Sequence, residues 1–189
     1  MKTVYLLGDS IRLGYQDTVR SELSDIAHVL APDENCRDTR NILEHLDRWL
    51  EGIEPDAVHV NAGLHDIKRV ADPDQCEVPI GEYTTNVRKI LDRLSAVSDI
   101  VIWASTTPVN ETDHHANKEF DRFEVDVVRY NEAAHEVAGQ AGALTNPLFD
   151  RMVEAGPADY LLKDGVHFTP EGSTLLGRWV GERVREALT

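Results

Sequence analysis

A chain of 189 residues with 41% hydrophobic and 28% charged side chains is long enough to bury its own core, and two cysteines supply neither a disulfide scaffold nor metal-site spacing. A formal net charge of −15 sets the protein's own field against a polyanion, so nucleic acid is not an expected partner. The acidic surplus, with Arg well ahead of Lys, fits an ordinary acidic enzyme or adaptation to high salt.

The apolar run Met1 to Leu7 is too short for a signal-peptide core and lacks a small-residue cleavage site, and no stretch approaches a membrane span; the expected location is cytoplasmic. Residues Thr3 to Leu7 are β-rich without alternation, as in a strand buried on both faces of a parallel sheet. Ile26 to Leu30 is a weaker strand candidate. Ile42, Leu43, Leu46, Trp49 and Leu50 share a helix face that stops before Gly52, a natural C-terminal cap. Ala57 to Asn61 reads as another buried strand, followed by a helical stripe through Tyr83, Val87, Ile90, Leu91 and Leu94. Ile100 to Ala104 is again a strand, and Phe120, Phe123, Val127, Ala134, Val137 and Ala138 suggest a less regular helix. Ala143 to Thr145 is a short strand. Thr169-Pro170-Glu171 then opens a last helix through Leu175, Leu176, Trp179, Val180 and Val184.

Strands alternating with helices imply right-handed βαβ units. The expected fold is α/β: one domain over residues 1–189, a three-layer α/β/α sandwich on a five-stranded parallel sheet of flavodoxin-like order 2-1-3-4-5. No linker, repeat or low-complexity tract divides the chain. In that order the ends of the first and third strands meet at the topological switch point, where such sheets bind ligands.

Gly8-Asp9-Ser10 follows the first strand and Gly63-Leu64-His65-Asp66 follows the third. The first motif by itself fits a helix cap, a phosphate cradle or a nucleophile. It is not the Gly-x-Ser-x-Gly elbow, because Ser10 is followed by Ile11-Arg12, which disfavours an α/β-hydrolase. Asp164-Gly165-Val166-His167 is more specific: one tight turn brings the carboxylate to the imidazole Nδ1–H and leaves Nε2 to face a nucleophile. Ser10, His167 and Asp164 then form a nucleophile, its base and the orienting acid.

With these two blocks the chain resembles the SGNH, or GDSL, hydrolase family over almost its whole length. The resemblance implies an oxyanion hole made from the Ser10 backbone N–H, a backbone N–H in the loop after the second strand, and a side-chain donor after the third. Two positions depart from the family pattern. Arg37, in Asn35-Cys36-Arg37-Asp38-Thr39, stands where glycine is common, and Gly-Leu-His-Asp replaces Gly-x-Asn-Asp, so that His65 stands where the family has Asn. An imidazole N–H can still donate, so His65 is read as the substituted donor, with Asn61 as a competing donor and a purely structural His65 as a third possibility. If both His65 and His167 are neutral, an alkaline optimum fits.

Asn61, Gly63 and Thr107, the last in a loop that resembles the family's substrate side, are expected to contact substrate. Asp113-His114-His115 reads as a polar loop without metal-site geometry, so no metal is assigned. His59 and His45 read as packed histidines, and Cys36 and Cys76 as free thiols. The expected reaction is hydrolysis of a small acyl ester, carbohydrate O-acetyl groups among the candidates, through an acyl-enzyme and with no cofactor. The expected partner is that small-molecule ester, not nucleic acid or a membrane. The rival from another class is a non-catalytic binding domain whose Gly8-Asp9-Ser10 cradles a phosphate.

Overall fold

The computed structural model describes residues 1–189. Strands β1 (Lys2–Leu7), β2 (Ala27–Leu30), β3 (Ala57–Val60), β4 (Ile100–Ala104) and β5 (Leu144–Asn146) form one all-parallel sheet in the order β2-β1-β3-β4-β5. Val4 pairs with Val29 on one side and with Ala57 on the other, which fixes the register of the central strands. The apolar runs that lack alternation are the ones covered on both faces: Val4 to Leu7 and all of β3 are buried. Edge strand β2 alternates buried and exposed residues, which accounts for its weaker signal.

Helices α1 (Ser10–Glu22) and α7 (Pro170–Leu188) pack together, as do α2 (Thr39–Leu50), α3 (Ile80–Ser95) and α5 (Glu124–Ala141), giving two helical layers about the sheet. The α2 stripe buries Ile42, Leu46 and Trp49, and Gly52 follows the helix at φ +72°. All five residues of the α3 stripe are buried. Thr169 caps α7 by accepting from the Gly172 N–H at 3.1 Å, with Pro170 opening the helix.

The third stripe is not one helix. Helix α5 begins at Glu124, so Phe120 and Phe123 precede it. The intervening chain is drawn into extended pairing in which Arg69 N–H donates to Asp121 O and Asp121 N–H to Arg69 O. Asp113-His114-His115 belongs to a short helix, α4 (Glu111–Asn117), rather than to a loop, because the Asn110 side chain caps it through the Asp113 N–H. A further helix, α6 (Leu148–Ala155), buries only Leu148 and Met152 and left little periodic signal.

Two small residues set how closely α7 approaches α1. A Cβ on Gly177 would lie 2.5 Å from Thr18 Cβ, and one on Gly181 2.8 Å from Glu22 Cβ. The two helices therefore touch through backbone, and the start of α1 is held beside the chain that leads into α7.

Candidate active site

At the end of β1 the chain passes so close to β3 that a Cβ on Gly8 would sit 2.2 Å from Asn61 Oδ1. Asp9, fully buried, is the cap of α1 and accepts from the Ile11 N–H at 3.0 Å. Burial pushes its carboxyl up, against the hydrogen bonds from Ile11 and Asn61. The capping duty thus falls to Asp9. The Ser10 hydroxyl is left free, at the first position of the helix, where backbone N–H groups have no intrahelical acceptor.

The Asp164–His167 turn depends on Gly165, whose φ is +73° and whose Cβ would fall 2.4 Å from Asn110 O and 2.6 Å from His114 N. Asp164 Oδ1 accepts from the N–H groups of Val166 (3.1 Å) and His167 (3.0 Å), and Oδ2 lies 2.5 Å from His167 Nδ1. Burial alone would raise this carboxyl, but bonds from the His167 ring and from the His167 and Val166 N–H groups outweigh it and hold Asp164 below the usual range. An ionised carboxylate only accepts, so Nδ1 carries the proton and Nε2 presents its lone pair. His167 Nε2 is 2.8 Å from Ser10 Oγ.

In the loop after β2, Arg37 sits at φ +57°, a conformation that glycine adopts without strain, which explains why glycine suits this position in the family the sequence resembles. Its N–H donates to Asn35 Oδ1 at 2.8 Å and is therefore engaged by its own loop. Arg12, fully buried, anchors the start of that loop by donating to Pro32 O and Glu34 O, and the Cys36 N–H donates to Gly8 O. His65 is half-buried; desolvation, with Lys68, Arg122, Arg37 and His167 adding to it, pushes its pKa down to about 3. The ring is neutral above that and keeps one N–H.

Ser10, His65 and His167 share one cleft of about 210 Å³. Arg37, Asn61, Gly63 and Thr107 do not line it. Asn61 lies beneath, donating to Asp9 Oδ1 at 3.3 Å and accepting from the Tyr15 hydroxyl at 3.2 Å. Gly63 lets the chain cross Thr106, whose Oγ1 a Cβ would meet at 2.0 Å. Thr107 is buried with its hydroxyl unpartnered. The three residues expected to contact substrate are buried and do not line the cleft, Asn61 and Gly63 because their close crossings with Gly8 and Thr106 use up the space. His59 is fully buried and burial pushes its pKa down to about 3, while His45 stacks on Trp49. Cys36 and Cys76 are free thiols. A larger cavity of about 330 Å³ lies beside Trp103 and Phe149, and its one serine, Ser105, accepts from the Phe149 N–H.

Sequence reasoning missed Arg122. Its side chain is buried, with Nε donating to Leu64 O at 2.5 Å and Nη1 3.4 Å from His114 Nε2. His114 Nδ1–H in turn donates to Asp164 O at 3.0 Å. One guanidinium thus couples the loop carrying His65 to the turn carrying His167. Burial brings its pKa down to about 10, opposed by Asp9 and Asp164. The available signal was the Asp121-Arg122 pair set between Phe120 and Phe123. Asp66 was also passed over: it accepts from Thr39 Oγ1 (2.6 Å) and Thr39 N–H (3.1 Å), tying the start of α2 to the β3 loop, and burial pushes its pKa up to about 7 against those bonds.

Residues 6–175 match the model of the GDSL-like lipase/acylhydrolase family. A GDSL esterase/lipase of Arabidopsis thaliana is 26% identical over 97% of this chain and 86% of its own length. Among solved structures, a lipase/acylhydrolase from Enterococcus faecalis superposes with a TM-score of 0.84 at 20% identity, covering 98% of this chain and 96% of that one. An acetylxylan esterase from Geobacillus stearothermophilus gives 0.76 at 18% identity, over 97% of this chain and 94% of that one. These last two are likenesses of fold.

Proposed function

The chain belongs to the GDSL-like lipase/acylhydrolase family and is a carboxylic ester hydrolase, and we propose that it removes small acyl groups through Ser10, His167 and Asp164. The observation that carries this reading is the unbroken run Ser10 Oγ, His167 Nε2 (2.8 Å), His167 Nδ1 and Asp164 Oδ2 (2.5 Å).

In the scheme, Ser10 Oγ attacks the ester carbonyl while His167 Nε2 takes the hydroxyl proton, and Asp164 holds the ring and stabilises the imidazolium. His167 then gives that proton to the leaving alcohol as the acyl-enzyme forms. Water, deprotonated by the same nitrogen, attacks the acyl carbonyl, and collapse returns Ser10 and the free acid. The Ser10 N–H and the His65 ring N–H hold the developing oxyanion, and the Arg37 N–H joins them by exchanging Asn35 Oδ1 for the substrate oxygen.

A cleft of about 210 Å³ is below the range usual for drug-sized ligands and favours a short acyl chain such as acetyl. Carbohydrate O-acetyl esters belong to this class, and acetylxylan esterases share the fold. A phosphate cradle at Gly8-Asp9-Ser10 is disfavoured by the Asp9 carboxyl at the very start of α1, where it already occupies the positive end of the helix. The test is covalent labelling by a fluorophosphonate probe. Modification at Ser10 that disappears in His167→Ala is expected, and a wild-type protein left unlabelled would overturn the scheme.

A further inference from the structure

The protein carries a formal net charge of −15, yet the cleft that holds Ser10 and His167 is lined by Lys68, Lys118 and Arg122 and by no Asp or Glu. Arg122 is only 5% exposed, an expensive place for a guanidinium unless its donors are used. Two arms are used, Nε on Leu64 O and Nη1 toward His114, while Nη2 makes no hydrogen bond and is not sealed from solvent. Lys68, half-buried, forms no ion pair. Its Nζ lies 5.1 Å from the centre of the Phe120 ring, and the Arg122 guanidinium carbon lies 5.0 Å from the same centre.

Two cations are thus gathered on one ring without a counter-ion between them. Burial, then Arg122 and Arg37, push the Lys68 ammonium below its ordinary value, with Asp38 and Glu77 opposing. The acids in reach are spent or outside the lining. Asp164 serves His167 and meets Lys118 at 3.4 Å, Asp9 caps α1 through Oδ1 from beneath the cleft and with Asp164 draws on Arg122, and Asp38 and Glu77 draw on Lys68 from beyond the cleft. A neutral acetyl ester brings no ground-state charge to meet these cations.

We propose that the ester cleaved here carries an anionic group, a carboxylate or a phosphate, seated by Arg122 Nη2 and Lys68 with Lys118 at the rim. The assignment rests on the reading of Ser10 as nucleophile, and it deepens that reading by naming the substrate class. Arg122 supplies a directional charge-assisted donor and Lys68 a mobile ammonium, a combination suited to an oxyanion at the edge of a small cleft.

Ester pairs that share the cleaved bond and differ in the anionic group test it. They are 3-acetoxybenzoate against its methyl ester, acetylated glycerol phosphate against acetylglycerol, and 4-nitrophenyl hydrogen adipate against 4-nitrophenyl hexanoate. In at least one pair the anionic member should show kcat/KM higher by about tenfold or more at low salt, with the advantage shrinking as salt is added. The winning pair locates the charge on the alcohol or the acyl side and separates carboxylate from phosphate. Lys68→Gln should collapse that ratio, and Arg122→Lys should reduce it less, since a cation is retained.

Neutral members that match or beat their anionic partners in all three pairs would overturn the proposal, as would equal losses for both members in Lys68→Gln. Calorimetric binding to Ser10→Ala separates this from the reaction itself. Tighter binding of an anionic ester, lost in the Lys68→Gln double variant, would sustain the anion site even if Ser10 proved not to be the nucleophile, and binding without charge preference would sink it.

Discussion

Between the start of α1 and the turn before α7, the side chains of Ser10, His167 and Asp164 already have their partners in the protein. Asp164 uses both oxygens, His167 both ring nitrogens, and Ser10 its hydroxyl. Across the cleft, the β3 side and the chain leading into α5 leave the reverse picture: Arg122 Nη2 and Lys68 lack partners, and the Arg37 N–H is held by Asn35 until something displaces it. The first wall is preorganised and its geometry is complete in the free protein. On the function proposed above, a ligand finishes the second wall, so its interactions are the ones that can differ between ground state and transition state.

The largest effects should come from the complete wall. Ser10→Ala and His167→Ala should each lower kcat for p-nitrophenyl acetate by about 10⁴-fold or more, with the double variant little worse, because the two act as one unit. Asp164→Asn should cost about 10⁴-fold with the fold intact, since an amide NH₂ facing Nδ1 favours the wrong tautomer. Additive losses, or an unchanged kcat in Asp164→Asn, would remove the preorganised unit from one side of the comparison.

The ligand-completed wall should respond at intermediate size. His65→Ala should lower kcat by about 10²- to 10³-fold with KM nearly unchanged, and His65→Asn should recover part of the loss. Because His65 titrates only near pH 3, it stays neutral across the working range and exerts no charge on His167. The acidic limb of the kcat/KM profile should therefore keep its midpoint in His65→Asn. Asn61→Ala should act on stability instead, by stripping Asp9 and Tyr15 of a shared partner. Wild-type kcat in His65→Ala together with its loss in Asn61→Ala would transfer the donor role to Asn61.

The same contrast governs what could be read from sequence. Asp164, Gly165 and His167 are legible because one turn contains the carboxylate, the residue that permits the turn and the imidazole. Strands β1 and β3 are legible because burial on both faces leaves no alternation. Arg122 was not, since its partner Leu64 is 58 residues away and its place between Phe120 and Phe123 is only a faint sign of a buried guanidinium. Asn61 and Gly63 were placed at the right end of β3 but given the wrong neighbours, because contact with Gly8 and Thr106 depends on how two loops cross in space. Phe120 and Phe123 kept helical spacing with α5 although the pairing of Asp121 with Arg69 pulls their backbone out of the helix.

Asp66 supplies the most separable effect and the one furthest from kcat, because it braces the ligand-completed wall without touching the cleft. Its pKa rises from 3.8 unfolded to about 7 in the fold, so between those values the native state binds more protons than the unfolded chain. Stability from this group is therefore fully present below about pH 4 and is lost as pH rises through 7, at roughly 1.4 kcal/mol per pH unit within the window. His59 and His65, both lowered to about 3, act oppositely and make stability fall as pH drops below about 6.5. Asp66→Asn keeps an oxygen for Thr39 Oγ1 and the Thr39 N–H and mimics the protonated acid, while the two histidines contribute equally to both proteins and cancel in the difference. Urea melts at several pH values should show the variant close to wild type near pH 4 and progressively more stable than it toward pH 7. Parallel curves would mean that Asp66 stays ionised throughout, and that the loop carrying His65 is braced by a carboxylate after all.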